Sequence, residues 1–294
     1  MKHPPLRARA RNPLLAMLVP LSLLVAGCSA APPPASNGPQ TVEGSGHVHG
    51  MSVDPASNTV LLATHDGLYN TTAKIPVKIS ESTIDLMGFT AAAEPGTFYA
   101  SGHPGPGSSL PNPVGLIQST DSGKTWQKVS RAGQSDFHTL TISGEALVGF
   151  DGQLRTSTDG ITWITSATTF TPTVLAGSPA STVVLATTQD GLQRSTDSGT
   201  TWQPVPKSPN IEFVVIATPR EKAPTNAVGV ATDGSVFLST DTGLTWAATG
   251  KITGQVEAVT AVEDRTGKPS IWVSTTTGVQ VSTDGGATFR PVSS

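Results

Sequence analysis

Ser119-Thr120-Asp121-Ser122-Gly123-Lys124-Thr125-Trp126 is the segment whose reading decides the fold. The same Ser-x-Asp-x-Gly-x-Thr-Trp order returns at Ser195 to Trp202 and at Ser239 to Trp246. Ser282 to Phe289 carries Phe in place of Trp, and Ser157 to Trp163 is one residue shorter. The five copies start at 119, 157, 195, 239 and 282, and such a period marks an array of one supersecondary unit. A Ser and an Asp in a tight turn satisfy local backbone N–H groups, Gly takes the positive-φ position, and the aromatic packs between sheets. Each copy therefore closes a hairpin.

Outward from each copy run short β-rich segments. Thr182 to Thr187 and Gly191 to Ser195 precede one copy, and Ser270 to Thr275 and Gly278 to Ser282 precede another. Four short strands in about 40 residues make a propeller blade. Residues 47–79 form a further unit without the motif, with strands expected over His47–Val53, Thr59–Thr64, Gly67–Asn70 and Lys74–Ile79. Its Ala63-Thr64-His65-Asp66-Gly67-Leu68 parallels Ala186 to Leu192. The expectation is an all-β, six-bladed propeller of four-stranded antiparallel blades with Asp-box turns. No long segment carries a helical period, so essentially no helix is expected.

The repeated motif resembles the Asp-box, or BNR, repeat of sialidase-type propellers, and the resemblance covers most of the chain after the first 46 residues. The chain also resembles a group of bacterial propeller lipoproteins that share the segments His47-Val48-His49-Gly50, Gly102-His103-Pro104 and Asp136-Phe137-His138. Members of that group are often labelled exo-sialidases or glycosyl hydrolases.

Residues 1–27 read as a lipoprotein signal peptide. Lys2, Arg7, Arg9 and Arg11 are cationic, Leu14 to Val25 are apolar, and Leu24-Val25-Ala26-Gly27-Cys28 resembles a lipobox. Cleavage before Cys28 would leave that cysteine carrying the lipid, on the outer face of the cell membrane. Cys28 is the only cysteine, which excludes a disulfide. The Pro-, Ser-, Gly- and Ala-rich stretch that completes residues 28–46 reads as a spacer, and residues 47–294 as the propeller domain. After Cys28, 14 basic residues face 21 acidic ones, a formal charge of −7. That balance excludes the electrostatic footprint of a nucleic-acid binder and a polybasic patch for anionic lipid.

The histidines carry the functional signal. In a four-stranded blade the innermost strand starts on the face where the second strand ends. His47, His49 and His138 fall at starts of inner strands, and His65 and His103 follow second strands. All five are therefore expected on one face of blades one to three. Asp85, Asp136, Glu212 and Glu257 also start inner strands, and the Pro/Gly-rich loop from His103 to Pro113 lies on the same face. Imidazoles with a carboxylate suit zinc or copper, to which Met51 and Met87 would add soft sulfur if the ion is copper.

The resemblance to sialidases implies three arginines converging on a carboxylate, a Tyr nucleophile paired with Glu, and an acid. Beyond Cys28 the arginines are Arg131, Arg155, Arg194, Arg220, Arg265 and Arg290, poorly placed for a central triad, and Tyr69 and Tyr99 have no nearby Glu suited to activating them. The sequence thus points first to a binding or assembly module with a His/carboxylate-lined channel mouth, engaging a protein or a small polar ligand. A hydrolase of the sialidase superfamily, metal-dependent or using Asp85 with Asp136, is the alternative.

Overall fold

The computed structural model describes residues 47–54, 57–72, 75–220 and 224–292. The leader, Cys28 and the spacer lie outside the described residues. Six antiparallel four-stranded sheets follow one another along the chain, each strand paired with its sequence neighbour. The blades span Val48–Lys78, Ile84–Ser130, Thr139–Thr165, Pro172–Pro204, Ile211–Lys251 and Val256–Pro291. Inner strands contact each other around the ring, and the sixth meets the first. Among the described residues there is no helix, and the fold is a six-bladed β-propeller.

Each repeated turn joins the third strand of its blade to the outermost one. Ser119 Oγ accepts from the Gly123 N–H at 2.9 Å, and Asp121 Oδ1 accepts from the Thr125 N–H at 3.0 Å. The Thr125 hydroxyl donates to Asp121 Oδ2 at 2.6 Å. The same bonds recur at Ser195/Asp197, Ser239/Asp241 and Ser282/Asp284. Gly123 sits at φ 85°, and a Cβ there would stand 2.2 Å from Leu68 Cδ2 of the preceding blade. Glycine is thus required both by backbone conformation and by the close approach of two sheets.

The core lies between blades. Leu68, Ile84, Leu86 and Ile117 are buried between blades one and two, with Trp126 packed against them. Phe137, fully buried, stacks on Trp163 at a centroid distance of 4.7 Å, and its N–H donates to Ser101 Oγ of blade two at 3.0 Å. Among the described residues each sheet is built from four consecutive strands, so no blade is shared between the two ends. Val48 and Leu62 of blade one pack on Ala258 of blade six, and Val53 and Val60 on Val262 and Trp272.

Inner strands share an irregularity that the sequence does not announce. Their pairing with the second strand skips one residue near the start in five blades, leaving His49, Met87, Thr173, Glu212 and Glu257 as the extra residue. A bulge of this kind kinks the strand and re-aims the side chain it carries. Here it repeats at one level of the ring.

Two outcomes follow from this packing. Phe137→Ala should cost about 3–5 kcal/mol in chemical denaturation, the range for losing a buried aromatic. The second concerns acid. Hydrogen bonds from the Thr125 hydroxyl and N–H hold Asp121 at about 2, and the N–H groups of Thr162 and Ile161 hold Asp159 at about 2. Burial opposes ionisation of Asp241, yet Thr245 also holds it at about 2. These folded values lie below the ordinary carboxylate value of about 4, so their contribution is complete above about pH 4 and fades as pH falls toward 2. Melting curves from pH 7 to 2 should show that decline, shallower in Asp121→Asn; an unchanged slope in the variant would remove this turn from the account.

Candidate functional site

The first-to-second-strand pairing of blade one brings His49 and His65 together. His49 is the bulged residue of the inner strand, and His65 sits in the turn after Val60–Thr64. That turn is built by Thr64, whose hydroxyl donates to the Gly67 carbonyl at 3.0 Å and accepts from the Asp66 N–H at 3.2 Å. Blades four and six build the same turn from Thr188 and Thr275, with Gln189 and Thr276 where blade one has His65. The turn belongs to the fold; the imidazole belongs to this blade alone among them.

Asp85 comes from the inner strand of blade two, between the buried Ile84 and Leu86. Its Oδ1 lies 3.0 Å from His65 Nδ1 and 3.4 Å from His49 Nε2, and those two nitrogens are 3.3 Å apart. Asp85 Oδ1 is buried yet has no hydrogen-bond partner, although the His65 and His49 nitrogens lie 3.0 and 3.4 Å away. A buried acceptor left unpaired is costly. Bonds of about 2.0–2.2 Å to a tetrahedral zinc ion would set any two donors about 3.3–3.6 Å apart. Shortening to about 3.0 Å corresponds to an octahedral ion with the same bond lengths. His49, His65 and Asp85 therefore form a triangle of one carboxylate oxygen and two imidazole nitrogens of the size that one first-row ion spans.

Electrostatics keep His49 ready to ligate. Burial lowers its pKa to about 4; Asp85 opposes this, while the imidazoles of His65, His47 and His138 add to it. His49 is consequently neutral at physiological pH, the form in which a ring nitrogen binds metal.

The remaining predicted residues fall into neighbouring groups on the same mouth. His47 Nδ1 lies 3.4 Å from Glu257 Oε1 of blade six, whose other oxygen accepts from the Ser274 hydroxyl at 3.3 Å. Asp136 Oδ2 is approached by His103 Nε2 at 3.0 Å and by His138 Nε2 at 3.4 Å. Asp136 Oδ1, like Asp85 Oδ1, is buried without a partner. The five histidines thus share one mouth but divide among three carboxylates, Asp85, Asp136 and Glu257, and among the described residues only His49, His65 and Asp85 gather as three ligands. Glu212, the extra residue at the start of the fifth inner strand, lines a cleft with Asp233 and Lys251 of blade five. Met51 is half-buried, packed against the cluster of Val53 and Val60, and also lines the central cavity with His49. Below the mouth, His49, His138 and Glu257 line a central cavity of about 200 Å³.

Asn112 is a site residue that the sequence alone did not single out. Its Oδ1 lies 2.7 Å from His103 Nδ1, closing the long loop back onto the imidazole at its other end. The signal available was its place as the amide side chain in that loop. That contact, then Asp136 and Asp85 against the cost of burial, raises the His103 pKa above 6.5.

Four of the arginines are engaged by other partners. Arg131 and Arg155 both bind the buried carboxylate of Asp151, at 3.3 and 2.9 Å. Arg194 donates to the Thr242 carbonyl at 3.0 Å, and Arg220 to Asn58 Oδ1 at 3.1 Å.

No protein-family model matches this sequence, and no curated protein matches it. Solved structures match the fold. The GH74 enzyme of Niastella koreensis superposes with a TM-score of 0.55 at 17% identity, covering 84% of this chain and 37% of that one. YCF48 bound to D1 peptide gives 0.51 at 14%, covering 85% of this chain and 83% of that one. An ancestral GH74 enzyme gives 0.51 at 12%, covering 83% and 36%. The chain spans little more than a third of the length of the GH74 enzymes it matches. At these identities the likeness is one of fold.

The position of Asn112 makes a measurable claim. In ring-proton NMR titrations His103 should titrate above the ordinary 6.5, and Asn112→Ala should move it down toward that value. A His103 midpoint unaffected by Asn112→Ala would mean that the amide does not set its protonation.

Proposed function

We propose that this protein is an extracytoplasmic β-propeller of the Asp-box, sialidase-like type, anchored by a lipid on Cys28, that binds a divalent transition metal at one mouth of its channel. His49 Nε2, His65 Nδ1 and Asp85 Oδ1 are the ligands, and zinc or copper is the ion their chemistry suits. The observation that carries the reading is the 3.0–3.4 Å triangle of those three atoms around a carboxylate oxygen that is buried and has no hydrogen-bond partner. Two facts support it: His49 stays neutral at physiological pH, and Asp85 is presented by a different blade from the two imidazoles. A metal would therefore tie blade one to blade two. The rigid mouth around it is a platform for a protein or a small polar ligand, a use the same fold serves in YCF48 bound to D1 peptide.

Asp85 and Asp136, together on this mouth, give the second reading, a glycoside hydrolase-like propeller. Robust turnover of sialosides or polysaccharides that Asp85→Asn or Asp136→Asn abolishes would establish it in place of the first.

Protein purified without a tag should contain, or take up, one zinc or copper ion per chain. At free metal about 100-fold above Kd, one such site stabilises the fold by about 2.7 kcal/mol, read as a rise in Tm. His49→Ala, His65→Ala and Asp85→Asn should each remove most of that rise. Absence of bound metal, together with no uptake on titration, would rule the reading out.

A further inference from the structure

His47 stands beside the three-ligand group without belonging to it. Its ring centroid is 5.2 Å from that of His49 and 6.2 Å from that of His65, and the His49–His65 separation is 4.4 Å. An imidazole bound at about 2.0–2.1 Å has its centroid about 3.2 Å from the metal, so two imidazoles at a tetrahedral angle have centroids about 5.2 Å apart. The three observed separations, 4.4, 5.2 and 6.2 Å, bracket that spacing. Only the direction of the His47 nitrogens is wrong, since Nδ1 is turned to Glu257 Oε1 at 3.4 Å.

The contrast in exposure shows which ligand can move. The His49 side chain is 13% exposed and sits in a bulge between two paired strands, whereas that of His47 is 58% exposed and precedes the inner strand. Turning an exposed side chain about its χ angles costs little, because staggered rotamers are close in energy and no packing is lost. Glu257 is 11% exposed and keeps its bond from Ser274 without His47.

We propose that His47 is the fourth ligand of this site, held in reserve on Glu257: when the metal arrives, its imidazole leaves the carboxylate and completes a tetrahedral set with His49, His65 and Asp85. The inference rests on the metal reading above and deepens it. Three imidazoles and one carboxylate oxygen form a closed tetrahedral site, which selects Zn²⁺ and leaves no position for a reacting water. The centre then holds zinc rather than catalysing with it. Return of His47 to Glu257 reopens a face, so the pair acts as a latch through which the ion is taken up and released. Glu257 competes with the metal for the same imidazole, and removing the competitor shifts the equilibrium toward the bound arrangement.

The test uses the full-length protein, with Zn²⁺ competed against a chromophoric chelator and Co²⁺ as a spectroscopic substitute. Wild type should give the intense visible bands of tetrahedral Co²⁺. His47→Ala should weaken Zn²⁺ binding by at least the roughly 10–100-fold that losing an outer-shell partner costs, and turn the Co²⁺ spectrum to the weak bands of higher coordination. Glu257→Ala should tighten Zn²⁺ binding by roughly threefold to tenfold, the measure of a partner that no longer competes. In wild type, the His47 ring resonances should shift in step with those of His49 and His65 as Zn²⁺ is added, a readout that needs no variant. If His47→Ala binds Zn²⁺ as wild type does with an unchanged Co²⁺ spectrum, while His49→Ala fails to bind, the fourth-ligand proposal falls and the three-ligand site survives. If His49→Ala also binds as wild type does, both fall.

Discussion

How closely one blade can approach the next is set by the repeated turn, and everything placed on the ring inherits that spacing. A Cβ at Gly123 would stand 2.2 Å from Leu68, one at Gly199 2.9 Å from Val148, and one at Gly243 2.6 Å from Leu185. In each pair the apolar partner belongs to the preceding blade. The turn can press so near because its own Ser, Asp and Thr satisfy many of its polar groups, while carbonyls left over accept from the preceding side, as Gly123 does from Ser80 and Thr242 from Arg194. Local hydrogen bonding thus lets apolar surfaces meet between successive blades, and the ring closes where blade six packs directly on blade one, which has no copy of the turn.

The mouth obeys the opposite rule. Aspartates in the turns accept hydrogen bonds from backbone N–H groups, while Asp85 Oδ1 and Asp136 Oδ1 are buried without a hydrogen-bond partner. Five imidazoles and three carboxylates, Asp85, Asp136 and Glu257, crowd the same end of the channel. Among the described residues two of the three buried side-chain atoms without a hydrogen-bond partner lie there, and breaks of local consistency concentrate at functional sites. The groups are not equivalent. One carboxylate draws two nitrogens into a triangle that fits an ion, while another is approached by two imidazoles that do not gather with it as a ligand set. The loop amide of Asn112 then occupies the far nitrogen of His103.

The architecture was legible in the chain because it repeats. A turn chemistry that recurs five times, with strand-like runs before it, specifies blades whatever lies between them, and the motif-free unit at residues 47–79 was recognisable by its Thr64-to-Leu68 parallel with blade four. The crowding of histidines at one face was legible too, since the direction of each strand through a blade assigns its ends to a face. What the chain could not disclose was the grouping. His49 reaches Asp85 because a bulge adds one residue to the inner strand, and that extra residue depends on pairing with the second strand, which no property of Val48-His49-Gly50 announces. Asp85 meets His65 across a blade boundary, at a separation set by how two sheets pack. By itself the sequence determined the number of blades, their turns and the face that bears the imidazoles, because these follow from local spacing and strand polarity. Only the tertiary structure decided which imidazoles share a carboxylate, because that is a distance between elements whose approach is governed by side-chain packing remote in the chain.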